Sequence, residues 1–132
     1  RVRFAGWLHG EELVRRIATS SVSVSASATE NQPMALLESL ACGVPVVALA
    51  EGGVPEIIRH GESGFLVPRE TPELMARYVE LLLGDIGLRE RMGKAARIST
   101  EAYSHAACLH RTLDAYAEAT QHHAAISLRR RF

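Results

Sequence analysis

Two glutamates, Glu30 and Glu38, have a side-chain type and a spacing that suit the binding of a sugar. Ionised carboxylates accept hydrogen bonds and donate none, so they pair well with hydroxyl groups and poorly with phosphates. A helix N terminus has the opposite preference, because its unpaired N–H groups and partial positive charge hold a phosphate without any basic side chain. A diphosphate at a helix N terminus, with a carboxylate on either side, therefore describes a site for a nucleotide sugar. The structural alternative is that Glu30 completes a cap and Glu38 is a solvated residue of the helix surface.

The segment between the two glutamates has the pattern of a helix. Pro33 suits the first turn, since its missing N–H is not needed there. Asn31 or Gln32 is expected to cap the free backbone donors, and Gly43 is expected to end the helix. An apolar stripe at helical spacing predicts the face that packs on the core; its members are Leu36, Leu37, Leu40 and Ala41. One carboxylate would then stand just before the helix and the other about two turns inside it.

Short apolar runs alternate with amphipathic segments along the rest of the chain. The predicted strands are 2–5, 21–25, 44–50 and 65–67. The other predicted helices are 11–18, a short one that opens at 55–56, 72–84, one that includes 88–96 and one from about 104 to near 116. This alternation predicts an α/β fold, in which a Rossmann-like parallel sheet carries crossover helices. Gly52 and Gly53 follow the third strand, so the backbone there can approach whatever lies over the sheet edge. The alternative is a tight turn that needs glycine only for its dihedral angles.

Composition limits the class of protein. At 132 residues, with 47% hydrophobic and 23% charged residues, the chain suits one globular domain with a core. Fifteen basic residues balance fifteen acidic ones, so no positive field would gather nucleic acid. No apolar run reaches the roughly 20 residues of a membrane span and no signal-peptide pattern is seen, which favours a cytoplasmic site. Cys42 and Cys108 suit small buried residues in a reducing compartment, and neither they nor the histidines have a metal-ligand spacing, so no metal site is predicted.

Four motifs follow one another in the chain: ENQPMALLE at 30–38, ESLACGVPVVA at 38–48, GGVPE at 52–56 and HGESGFLVP at 60–68. In this order they resemble the C-terminal, donor-binding domain of the retaining glycosyltransferases of family 4, which have the two-domain GT-B fold. The resemblance extends over most of 1–120, which would be a partial nucleotide-sugar-binding domain, the incomplete C-terminal half of a GT-B fold. Residues 121–132 would form a basic tail, and attraction of this tail to the inner face of a membrane is an alternative role.

The resemblance implies roles for the residues around the predicted helix. Glu30 would be the catalytic residue that contacts hydroxyls of the donor sugar, and Glu38 would hold the ribose. Backbone amides near 32–34 would meet the diphosphate, and the loop of Gly52 and Gly53 would face the interdomain cleft. The donor-binding residues predicted in this way are Glu30, Asn31, Gln32, Pro33, Met34, Ala35 and Glu38.

The function implied by the resemblance is transfer of a sugar from a nucleoside diphosphate sugar to an acceptor, with no cofactor. Many relatives have Gly-Phe-Gly where this chain has Asn31, Gln32 and Pro33, and the variant resembles a subset that acts in polysaccharide synthesis. The acceptor-binding N-terminal domain of the family falls outside this chain, so transfer by the chain alone is not expected. The alternatives are a non-catalytic nucleotide-binding or assembly module and a sugar-nucleotide epimerase on the same fold.

Two strands that the family places between 2–5 and 22–25 also fall outside the chain. A gap of two strands in the sheet would leave unpaired backbone groups and an exposed apolar face. Segment 2–5 could pair directly with 22–25, copies of the chain could fill each other's gap, or another polypeptide could supply the strands. The last two arrangements are the ones we expect.

Overall fold

The computed structural model describes residues 2–129, and the side chains of residues 2–121. In chain order the elements are α1 (Gly10–Ala18), β1 (Ser23–Ser25), α2 (Met34–Ala41), β2 (Val46–Leu49), α3 (Val54–Ile57), β3 (Gly64–Val67), α4 (Pro72–Gly84), α5 (Ile86–Ser99), a 3-10 helix (Thr100–Tyr103) and α6 (His105–Arg129). The residues up to Thr100 form one compact unit, and those from Glu101 onward form another. The strands and both glutamates of the predicted site belong to the first unit.

The sheet has three parallel strands in the order β1-β2-β3. Ser23 pairs with Val46, which pairs in turn with Gly64. Residues 46–48 of the central strand are fully buried, as is typical of a parallel sheet covered by helices. The predicted α/β class and the parallel order with crossover helices are confirmed, and the strand ends differ from the predicted ones by one or two residues.

A cluster of buried side chains fastens α4 and α5 to the sheet. Its members are Val47, Phe65, Val67, Leu82 and Met92. The ring of Tyr78 stacks on Phe65 at the margin of this cluster, with 4.2 Å between the ring centroids. Because β2 and β3 are held in this way, the loops that leave their carboxyl ends start from fixed points.

The predicted strand at 2–5 is wrong. Residues 2–9 have no regular structure, and Val2, Phe4 and Trp7 are 85–94% exposed. A strand needs a neighbour that accepts and donates its backbone hydrogen bonds, and within the described residues β1 pairs with β2 alone. Direct pairing of 2–5 with 22–25 is therefore not the arrangement of this chain. The other two arrangements stay predictions.

Gly43 ends α2, as the sequence predicts. Its φ of +75° is in the left-handed region, which glycine adopts without a steric penalty. The Gly43 N–H donates to the Leu40 carbonyl oxygen at 2.9 Å, and the Val44 N–H donates to that of Ser39 at 3.0 Å. These two hydrogen bonds are the Schellman arrangement that satisfies the last carbonyls of a helix.

The end of α2 touches the backbone of α5 at Gly93. A Cβ atom at Gly93 would lie 2.3 Å from the Gly43 carbonyl oxygen, so a side chain there would push the two helices apart. We expect Gly93→Ala to lower the free energy of unfolding by about 1 to 3 kcal/mol, although alanine is the better helix former. Urea unfolding followed by circular dichroism measures the change.

Gly84, the last residue of α4, provides the matched control. A Cβ atom there would meet nothing within 4 Å. Gly84→Ala is expected to leave the stability unchanged or to raise it by less than about 1 kcal/mol. Similar losses in the two variants would show that the contact between α2 and α5 is not what requires Gly93.

Helix α6 continues to Arg129, past the predicted helix end near 116. The assignment of 121–132 as a basic tail stays a prediction, because the side chains from 122 onward and residues 130–132 lie outside the described part of the chain. Among the described residues, no helix is both long enough and apolar enough to cross a membrane.

Candidate functional site

Three loops leave the sheet at one edge. Since the strands are parallel, their carboxyl ends lie together, which is where α/β proteins bind ligands. The loop after β1 carries Glu30, the loop after β2 carries Gly52 and Gly53, and the segment after β3 carries Arg69. The fold therefore brings the first predicted glutamate and the predicted glycine loop to the same edge.

Glu30 lies just before α2, and Glu38 lies inside it, as predicted. Glu30 is half-buried, whereas Glu38 is exposed. Among the described residues, neither carboxylate has a hydrogen-bond donor or a cation within bonding distance. Both are therefore available to the hydroxyl groups of a ligand.

The N terminus of α2 has no side-chain cap. The prediction that Asn31 or Gln32 would cap it is wrong, because Pro33 occupies the N-cap position and has no side-chain acceptor. A capping oxygen has to come from the N-cap residue itself, and the two exposed polar residues stand before it. Within the described part of the chain, nothing accepts a hydrogen bond from the N–H groups of Met34 and Ala35. These two donors are free for a ligand at the positive end of the helix dipole.

Glu38 lines a groove between α1 and α2 with a volume of about 540 Å³. The α1 side of this groove is apolar and includes Leu13 and Ile17, and Arg97 of α5 lies at the same groove. Glu38 and Arg97 do not form an ion pair, since the two described ion pairs involve other residues. The groove therefore offers one acceptor and one cationic donor beside an apolar wall.

Ser39 fixes the position of α2 on the sheet. This buried side chain donates to the Ala35 carbonyl oxygen at 2.9 Å and lies 3.0 Å from the hydroxyl oxygen of Ser23 in β1. The neighbouring Glu38 is held on the outer surface as a consequence. A serine inside an apolar helical stripe is the sequence signal from which this contact could have been predicted.

The glycine loop is in direct backbone contact with the first glutamate. The Gly53 N–H donates to the Glu30 carbonyl oxygen at 2.8 Å. Glu51, which precedes the two glycines, forms an ion pair with Arg69 at 3.4 Å between Nε and Oε1. Arg69 and Arg97 were not among the predicted site residues, because nothing in the local sequence pattern around either residue marks it as a neighbour of the site.

Among the described side chains, no group of three or more histidine, cysteine, aspartate or glutamate residues could hold a metal ion. Cys42 and Cys108 are both free and half-buried. The side chains of His122 and His123 lie outside the described residues.

Comparisons with known proteins identify the family of this chain. The family model of the glycosyl transferases group 1 matches residues 1–99. A D-inositol 3-phosphate glycosyltransferase of Streptomyces bingchenggensis is 36% identical over 118 residues, which are 89% of this chain and 26% of that protein. The sulfoquinovosyl transferase SQD2 of Arabidopsis thaliana is 40% identical over 103 residues, 76% of this chain and 20% of that protein. The chain thus spans about a quarter of the length of the curated relatives it matches.

Solved structures show the same fold. The sucrose-phosphate synthase of Thermosynechococcus elongatus superposes with a TM-score of 0.83 at 28% identity, over 92% of this chain and 31% of that chain. HepE of Anabaena, in complex with UDP and glucose, superposes with a TM-score of 0.77 at 24% identity, over 89% of this chain and 32% of that chain. At that identity HepE bears on the fold alone. The family match covers most of the first compact unit, including both glutamates and the glycine loop, and the chain belongs to the group 1 glycosyltransferases, which have the GT-B fold.

Proposed function

We propose that the chain is the donor-binding part of a retaining glycosyltransferase, which moves a sugar from a nucleoside diphosphate sugar to an acceptor in polysaccharide or glycoconjugate synthesis. The observation that carries this proposal is the uncapped N terminus of α2, with Glu30 just before it and Glu38 within the helix. Membership of the group 1 family supports transfer as the reaction class. The transferase names of the two curated relatives agree with it.

Each part of a nucleotide sugar has a matching group in this arrangement. The free N–H groups of Met34 and Ala35 would donate to the diphosphate and stabilise the charge that develops as the nucleoside diphosphate leaves. Glu38 would accept the two ribose hydroxyls, and Glu30 would accept hydroxyls of the transferred sugar. Backbone donors at a helix terminus need little reorganisation during the reaction, because the helix already fixes their direction.

Titration calorimetry with UDP, GDP and ADP tests the proposal on the chain itself. We expect at least one of the three to bind with a dissociation constant below about 1 mM, which corresponds to about 4 kcal/mol. Absence of binding by all three would reject the proposed site. Hydrolysis or transfer of the matching sugar nucleotide, assayed with the chain alone and with a longer protein that contains it, then separates a transferase from a non-catalytic nucleotide-binding module.

The open edge of β1 leads to a prediction about assembly. Val24 in this strand is 49% exposed, and unpaired strand edges tend to recruit another strand. Segment 2–5 has no regular structure, is exposed and carries apolar residues at alternate positions, so it is available to supply such a strand to a second copy. We expect light scattering to show a molar mass that rises with concentration above the 14.4 kDa of one chain.

Val24→Lys is expected to shift this equilibrium towards the single chain, because a charged edge residue disfavours strand addition. Val14 of α1 is 54% exposed and serves as the control. A single-chain mass at every concentration, or an equal effect of Val14→Lys, would contradict pairing at β1.

A further inference from the structure

The contact between Gly53 and the segment of Glu30 is closer than a turn requires. A Cβ atom at Gly53 would lie 1.8 Å from the Asn31 carbonyl oxygen, and one at Gly52 would lie 2.2 Å from that of Glu30. The φ of Gly53 is −80°, which any residue can adopt. Glycine at this position therefore serves close approach of two backbones, and not an unusual dihedral angle.

The glycine loop is anchored on its far side to the end of β3. The Ala50 N–H donates to the carbonyl oxygen of Val67, the last residue of β3, at 2.8 Å. Within the loop, the Val54 N–H donates to the Glu51 carbonyl oxygen at 3.2 Å. The ion pair between Glu51 and Arg69 adds a side-chain contact in the same direction. A side chain placed at Gly53 would therefore meet resistance from the loop itself.

The opposite side of the contact is held less firmly. Residues 26–32 have no helix or strand, and the one hydrogen bond described for Ser27 is local, from its backbone N–H to the Ser25 hydroxyl oxygen at 3.3 Å. The hydrogen bond from the Gly53 N–H is the one described hydrogen bond between Glu30 and another loop of the fold. Any pressure from the loop would thus displace Glu30 and not the loop.

We propose that Gly52 and Gly53, held by the Glu51–Arg69 ion pair, are positioning residues that set where the Glu30 carboxylate stands at the sheet edge. This proposal rests on the proposed function, in which Glu30 meets the donor sugar. It adds that the glycine loop acts on the sugar end of the donor through Glu30, without itself touching the donor.

The nucleotide end of the site should not respond to the loop. Helix α2 is held independently, since Ser39 contacts Ser23 in β1 and Leu40 is fully buried. Its free N–H groups and Glu38 should keep their positions when Glu30 moves. A change at Gly53 should therefore alter the affinity for a sugar nucleotide and spare that for the corresponding nucleoside diphosphate.

Calorimetry on Gly53→Ala tests this difference with the pairs UDP and UDP-glucose, GDP and GDP-mannose, and ADP and ADP-glucose. For the pair that binds, we expect the affinity for the sugar nucleotide to fall about tenfold relative to that for the nucleoside diphosphate. The nucleoside diphosphate affinity should stay within about threefold. An unchanged ratio in a folded Gly53→Ala variant would overturn the proposal.

Gly64→Ala is the matched control for general damage. Its Cβ atom would lie 2.4 Å from the Val46 carbonyl oxygen, a comparable clash between β2 and β3 and not at Glu30. The affinity ratio should stay at the wild-type value in this variant, and an equal fall would overturn the positioning role.

Arg69→Gln covers the case in which Gly53→Ala does not fold. It loosens the anchor of the loop without adding a clash, and the same ratio should fall by a smaller factor, about two- to threefold. A ratio unchanged in Arg69→Gln, when Gly53→Ala is unfolded, would count against the proposal.

Amide NMR of the ligand-free chain gives a readout that does not depend on binding. Gly53→Ala should shift the resonances of residues 29–32 more than those of α2, and shifts of equal size would contradict the proposal. If the wild-type chain binds none of the six probes, the proposed function fails, and the role of the loop in sugar binding fails with it. Wild-type binding combined with an unchanged ratio would reject the positioning role alone.

Discussion

Replacing Glu38 by alanine is expected to weaken the binding of a nucleoside diphosphate by about 2 to 3 kcal/mol, roughly 30- to 150-fold in the dissociation constant. The physical reason is that the two ribose hydroxyls would no longer donate charge-assisted hydrogen bonds to the ionised carboxylate of Glu38. Glu38 is exposed and has no described partner, so its removal should not disturb α2. The expected loss is therefore a loss of ligand contacts and not of folding.

Glu30→Ala should behave differently from Glu38→Ala. Because Glu30 would face the sugar, its replacement should leave the nucleoside diphosphate affinity nearly unchanged and weaken the intact donor alone. Calorimetry with both ligands on both variants measures this difference. Glu80→Ala, which removes another exposed helical glutamate on α4, should change neither affinity. Equal losses of nucleoside diphosphate affinity in Glu30→Ala and Glu38→Ala would contradict the assignment of the two carboxylates.

Leu82→Ala is expected to lower the free energy of unfolding by roughly 2 to 5 kcal/mol. Leu82 is fully buried in the cluster that joins α4 and α5 to β2 and β3, so its truncation leaves a cavity between the sheet and both helices. Domains of this size have only about 5 to 15 kcal/mol of stability in total. The variant is therefore expected to unfold at a lower temperature and a lower urea concentration than the wild-type chain, which thermal and urea unfolding would both show.

The neighbouring Leu83 provides a control that distinguishes the effect of losing a buried side chain from the effect of replacing leucine by alanine in a helix. It lies on the same helix but is 53% exposed, so Leu83→Ala removes the same atoms without opening a cavity. A change of less than about 1 kcal/mol is expected. If the two variants lost the same stability, the cluster around Leu82 would not be the core of the first compact unit.

The elements that depend on near neighbours in the chain were predicted from the sequence. The end of α2 at Gly43 is such a case, because a left-handed residue followed by two local hydrogen bonds stops a helix whatever lies around it. The placing of Glu30 before α2 and of Glu38 inside it is another, since a helical rise fixes that separation once the helix exists. The parallel order of β1, β2 and β3 follows from their alternation with helices.

The strand predicted at 2–5 shows that a local pattern alone does not decide whether a strand forms. Its alternating apolar residues have the period of a strand, but a strand forms only against a partner, and no described part of the chain provides one. The predicted caps at Asn31 and Gln32 are also wrong, because the exact residue at which a helix begins is set by the backbone around it. Polar side chains near a helix start were recognised, but the backbone made Pro33 the N-cap residue.

The sequence by itself determined the α/β class, the carboxylate on each side of the start of α2, and the position at which that helix ends, because these depend on residues within a few turns of one another. Only the tertiary structure decided that Gly53 lies against the backbone of Glu30 and Asn31, that Arg69 forms an ion pair with Glu51 of the same loop, and that Arg97 shares a groove with Glu38. Each of these contacts joins residues more than 15 positions apart. Such contacts depend on how helices pack on a twisted sheet, and no local pattern of side chains encodes that geometry.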